Sequence, residues 1–177
     1  MFNSLKKKKL NRSLKKHKVV REKHIMSLDK TRSIAMMCQI TDEESYKDIH
    51  DLLSKLHSPR RNVWLLAYIN KKEVPYYCLP QLSADYFSNK HLNWYGKPNF
   101  AQLKDFISKD FDILIDFSRQ NLPPLSYILS VCHAKLIIGA NEHSEELYDV
   151  YIQDENNMDN LSLLKTIHNY LHKLTGG

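Results

Sequence analysis

Four short segments of this chain are apolar at nearly every position rather than at alternate ones, and this constrains the fold more than any other feature. They cover residues 33–40, 62–69, 111–117 and 134–140. A strand with one wet face alternates polar and apolar residues, whereas a strand apolar on both sides has to be covered on both. Stretches of helical length and periodicity lie between them. The pattern predicts an α/β, three-layer, Rossmann-like fold with a mostly parallel sheet and helices on both faces. A chain of 177 residues suffices for one such domain. The three cysteines, Cys38, Cys78 and Cys132, are too few and too scattered for a disulfide framework or a zinc knuckle, and Cys38 and Cys132 read as core thiols.

Local signals sharpen the plan. Thr41 and Glu44 read as the N-cap and N3 residues of a capping box. The helix behind them places Tyr46, Ile49, Leu52, Leu53 and Leu56 at helical spacing, and Ser58-Pro59 ends it. Residues 74–80 read as a short edge strand, where proline is tolerated. Residues 85–98 read as an ordered loop that packs its own aromatics, Tyr86, Phe87, Trp94 and Tyr95, and as the place for a protein-binding patch. A helix is expected over 99–109, a second opening at Pro123 or Pro124 and running to about residue 133, and a last one over 158–174. Residues 148–153 read as the last strand.

The net charge of +6 is unevenly spread. Residues 1–32 hold 12 Lys/Arg against only Glu22 and Asp29, while residues 33–177 hold 14 against 18 Asp/Glu. The expected organisation is therefore a basic N-terminal helical arm, 1–32, on a single mildly acidic α/β domain, 33–177. Good helix formers without Pro or Gly extend from Met1 to about Lys23. Any polyanion would meet Lys6, Lys7, Lys8, Lys9, Arg12, Lys15, Lys16, Lys18, Arg21 and Lys23. No apolar run reaches the roughly 18–20 residues that span a bilayer, and no apolar stretch of signal-peptide type follows the basic start. The expected location is cytoplasmic.

In such a sheet, ligands bind at the carboxyl ends of the strands. The turn at 39–44 has no glycine and carries Asp42, Glu43 and Glu44, which would repel a phosphate. The chain has four glycines, and neither a G-x-G-x-x-G nor a Walker loop can be built from them. No cofactor is therefore expected. The turn at 116–121 precedes a helix whose first turn is free of acids, so Asp116, Ser118, Arg119 and Asn121 are the candidate holders of a small polar or anionic ligand. Gly139 reads as a residue that lets the chain turn into the loop of Asn141, Glu142, His143 and Ser144. Cys132-His133 is adjacent in sequence, which does not by itself make a nucleophile and its base meet. His168 and His172 have the i, i+4 spacing of metal ligands, but no third ligand accompanies them. Asp112 and Asp116 share a strand face at roughly 13 Å, too far apart for an acid–base pair.

The segment Phe111-Asp112-Ile113-Leu114-Ile115-Asp116, followed after a helix by Ala134-Lys135-Leu136-Ile137-Ile138-Gly139, resembles an uncharacterised family of short α/β proteins from Bacteroidota with a Lys-rich start. That resemblance covers most of the chain and implies no activity. The same strand–helix–strand is distantly similar to the N-terminal domain of heptosyltransferase-like glycosyltransferases, which implies the fold more than the reaction.

Three functions fit. The first is a non-enzymatic module whose arm binds RNA or the ribosome through phosphates. The second is a peripheral place on an anionic membrane surface, with Phe2, Leu5, Leu10 and Leu14 of the same arm inserting. The third is a small-ligand protein or a degenerate glycosyltransferase-like enzyme using the 116–121 turn. Without a phosphate loop, a metal cluster or a convergent triad, the sequence leans away from an enzyme.

Overall fold

All four apolar segments form strands, and two shorter strands join them. The computed structural model describes residues 2–154 and 157–176. Its strands are β1 (Ser33–Gln39), β2 (Asn62–Ile69), β3 (Ala84–Ser88), β4 (Phe111–Asp116), β5 (Ala134–Gly139) and β6 (Val150–Tyr151). Its helices are α1 (Phe2–His17), α2 (Glu43–Leu56), α3 (Ala101–Ser108), α4 (Pro123–Val131) and α5 (Asn160–Leu174). Every strand pair is parallel, and the sheet order is β3-β2-β1-β4-β5-β6. This is the doubly wound Rossmann order, with its switch point between β1 and β4. None of the helices among the described residues is long and apolar enough to cross a membrane.

Two cores explain the unbroken apolar runs. On one face Ile34, Met36, Leu65 and Ile115 pack with Ile49 and Leu52 of α2 and with Leu163 and Ile167 of α5. On the other, Met37, Leu66, Leu114 and Ile137 pack with Phe106 of α3, Ile128 of α4 and Leu10 of α1. Successive residues of one strand feed opposite cores, so neither set of positions is left for polar side chains.

Several local expectations change. Asp42, not Thr41, caps α2: its Oδ1 accepts from Ser45 N–H at 2.8 Å, and its own N–H donates to Ser45 Oγ at 3.1 Å. Residues 74–80 form no strand. Pro75 and Pro80 bracket a turn closed by Cys78 N–H on Pro75 O at 3.1 Å, and β2 pairs instead with β3. Asp85 is tolerated in β3 because Trp64 Nε1 of β2 donates to its carboxylate at 2.8 Å. The last strand shrinks to Val150–Tyr151.

The arm is shorter as a helix than the sequence predicts. α1 ends at His17, just before Val19 and Val20, a β-branched pair of low helix propensity. Val19 N–H then donates to Ser130 O at 3.0 Å and His24 N–H to Lys135 O at 3.1 Å. Leu10 belongs to one core and Leu28 to the other. Residues 2–32 therefore start on one face of the sheet, pass the amino end of β5 and enter β1 from the opposite face.

Arg21 and Asp149 fasten that passage. Arg21 donates from both terminal nitrogens to the two oxygens of Asp149, at 2.8 and 3.0 Å, and from Nη1 to Ala134 O at 2.8 Å. Lys23 Nζ stands 2.7 Å from Asp149 Oδ1, and Ile137 N–H donates to Oδ2 at 2.8 Å. Burial pushes this carboxyl up, but the bonds from Arg21, Lys23 and Ile137 outweigh it and hold its pKa below the ordinary 3.8. A depressed carboxylate contributes stability that is complete above its unfolded pKa and lost as pH falls through the folded one. Asp149→Asn should thus lower stability at pH 7 by about 1.5–3 kcal/mol in urea unfolding. The gap to wild type should close as pH drops below the ordinary carboxylate value; equal stability of the two at pH 7 would refute the tether.

Candidate nucleic-acid interface

α1 contains no acidic residue, and docking divides its surface by the helical repeat. Leu10 is 5% exposed, and Leu14, Lys6 and Ser13 are half-buried on the inward side, while Lys8, Lys9, Arg12 and Lys16 are exposed. Lys8, Arg12 and Lys16 recur every fourth residue, so their Cα atoms follow one another at roughly 6 Å along the axis. None of the three makes an ion pair with a described acid. Lys18 is exposed just beyond the helix, while the side chains of Lys7 and Lys15 lie outside the described ones. Arg21 and Lys23 stand apart from this ridge, both committed to Asp149.

Beside the ridge lies the loop that follows β3. Lys9 Nζ sits 4.5 Å above the Trp94 ring centroid and 5.3 Å from that of Tyr95. The two rings meet edge to face at 5.3 Å. The loop is a built turn: Asn93 Oδ1 accepts from Tyr95 N–H at 3.2 Å and Lys97 N–H at 2.9 Å, and Asn93 N–H donates to Lys97 O at 2.9 Å. Gly96 takes φ +90°, a conformation that side chains disfavour, although a Cβ there would meet no atom. Lys97 Nζ lies 5.0 Å from the Tyr127 ring of α4. Cations over aromatic faces thus link α1, this loop and α4.

The 116–121 turn lies at the switch point, and most of its polar groups are engaged locally. Asp116 is fully buried; its carboxylate accepts from Tyr148 Oη at 2.7 Å and from Ser118 N–H at 2.9 Å. Burial pushes its pKa up against these bonds, and pushes the Tyr148 phenol up as well. Tyr148 reaches Asp116 across Gly139, which pairs with Asp116 in the sheet. A Cβ on Gly139 would stand 2.6 Å from Tyr148 Cε1 and 2.8 Å from its Oη, so this glycine serves close ring approach rather than the turn the sequence suggests. Asn141 Nδ2 donates to Gln120 O at 2.7 Å and to Ser118 Oγ at 3.4 Å. Arg119 pairs with Asp154 at 3.2 Å and donates to Phe117 O and Met158 O. Asn121 faces water.

The remaining candidates do not converge. Cys132 is fully buried with its thiol pushed up to about 12 by burial, while exposed His133 turns toward Asp110 at 3.8 Å. His168 and His172 stack at 6.2 Å, and His168 Nε2 faces Asp29 at 3.2 Å. Among the described residues no group of three His, Cys, Asp or Glu could hold a metal ion. The sequence marks Trp94 and Tyr95 as loop aromatics and as part of a protein-binding patch; their place beside Lys9 depends on a fold-level contact.

Gly139→Ala should cost about 1–3 kcal/mol by displacing the Tyr148 ring. Tyr148→Phe should cost about 1–3 kcal/mol by leaving Asp116 one donor short. Because both act on one contact, the double variant should cost clearly less than the two added together in urea unfolding. Additive losses would contradict the pairing.

Comparison with known proteins finds one family for the chain. No curated protein and no solved structure matches the chain. A family model matches residues 3–174, so the match takes in α1 together with the whole sheet. The chain belongs to DUF6913, a family of unknown function.

Proposed function

We propose that the protein is a non-enzymatic, cytoplasmic RNA-binding protein, most naturally a ribosome-associated one, that meets RNA with the outer face of α1. The observation that carries this reading is the stripe of Lys8, Arg12 and Lys16, exposed and without described acidic partners on a helix that the body holds in place. A row of fixed cations binds a phosphate backbone by releasing counterions and requires no base-specific contacts. The body itself is mildly acidic, so this ridge is where the field favours a polyanion.

The other readings gain less from the same observations. A membrane role draws on the apolar residues of the arm, yet Leu10 is spent on the core and Leu14 packs against it; Leu5 is exposed, and the side chain of Phe2 lies outside the described ones. A ligand-binding or glycosyltransferase-like role draws on Asp116, Ser118 and Arg119, which are engaged in local hydrogen bonds and an ion pair. The doubly wound fold often takes a phosphate at the turn after β1, and there Asp42, Glu43 and Glu44 stand.

Replacing Lys8, Arg12 and Lys16 together by glutamine tests the proposal without disturbing buried groups. RNA affinity should fall at low salt. The slope of log affinity against log salt should become shallower by roughly 2, at about 0.7 per lost contact on a single strand. Unchanged affinity, or wild-type protein that binds anionic lipid vesicles but not RNA, would refute it.

A further inference from the structure

We infer that Trp94 is a base-stacking platform beside the cationic ridge, and that the RNA this protein takes is single-stranded. This rests on the RNA-binding reading of α1 and extends it to the class of nucleic acid. Trp94 is 56% exposed on a loop whose backbone is held by its own hydrogen bonds. The other tryptophan, Trp64, is half-buried, with its N–H spent on Asp85 and its ring against Phe106. A large apolar ring kept in water on a rigid turn gains nothing from the core of its own fold. Lys9 at 4.5 Å joins it to α1, so a strand whose phosphates follow Lys8, Arg12 and Lys16 passes next to an indole face.

That pairing of a cationic track with an aromatic surface is what single-stranded nucleic acid requires. Phosphates supply the electrostatic term, and an unpaired base supplies the stacking. A duplex keeps its bases on one another and offers the indole nothing, while still presenting phosphates to the ridge. Lys97, over Tyr127 on the far side of the loop, leaves a second cation near the same strand.

The test uses full-length protein, Trp94→Ala, Trp94→Phe and the α1 triple glutamine variant. Each is titrated by fluorescence anisotropy against a labelled 12-nucleotide oligoadenylate and a labelled RNA duplex of equal length. Trp94→Ala should weaken oligoadenylate binding by roughly 5- to 150-fold. It should leave duplex binding within about twofold and the salt slope unchanged, and Trp94→Phe should retain most of the single-strand affinity. Duplex binding also reports that the variant is folded. Wild-type affinity of Trp94→Ala for oligoadenylate would overturn the platform, as would equal losses on both probes, which would make Trp94 only a support for Lys9. In either case a weakened triple variant would leave the role of α1 standing; a wild-type protein that binds neither probe would overturn both.

Discussion

The placement of the N-terminal arm hangs on Asp149. It lies just before the two-residue strand β6 and is 7% exposed. Four donors converge on it: both terminal nitrogens of Arg21, Lys23 Nζ and Ile137 N–H. A buried carboxylate is costly without such partners. Three of these four donors come from the N-terminal segment, so the anion at the sheet edge and the passage of the arm stabilise one another. Once the passage is fixed, Leu10 enters the core over α4 and the orientation of α1 follows, apolar side in and cations out. A run rich in lysine repels itself when left alone. Here it becomes a ridge with a defined direction because two of its basic neighbours are neutralised farther along the chain.

The Rossmann frame makes a different contribution from its usual one. Its switch point lies between β1 and β4, where ligands of doubly wound proteins commonly sit. In this chain that end of the sheet is filled by its own polar network. Asp116, Tyr148, Ser118 and Asn141 satisfy one another, and Arg119 ties the turn to Asp154. The frame serves as a rigid block that positions α1 and the 92–98 loop, and the proposed recognition surface lies on the outside of one helix layer rather than at the switch point.

How much of this was legible depended on how local each signal was. Residues 33–40 and 134–140 announced buried strands because both faces of each are filled by side chains of that same segment. The shorter β3 did not, since Asp85 breaks the apolar run and is made acceptable by Trp64, a residue on another strand. The basic arm and its charge were evident from composition, but its docking was not, because Arg21 and Asp149 meet only after the sheet is assembled. Gly139 was visible as a special position, with the wrong reason: its neighbour in space is Tyr148, and no sequence rule links a glycine to a ring nine residues later. The partners of the 116–121 turn were hidden for the same cause, since Asp116 and Arg119 find theirs in later segments.

Ultraviolet cross-linking of the full-length protein to single-stranded RNA, with the attached peptides mapped by mass spectrometry, tests the central claim most directly. The account predicts cross-links confined to α1 and to the loop carrying Trp94 and Tyr95, and lost when the exposed cations of α1 are neutralised. Cross-links concentrated at the carboxyl ends of β1 and β4, around residues 39–44 and 116–121, would contradict it and return the function to the switch point of the sheet.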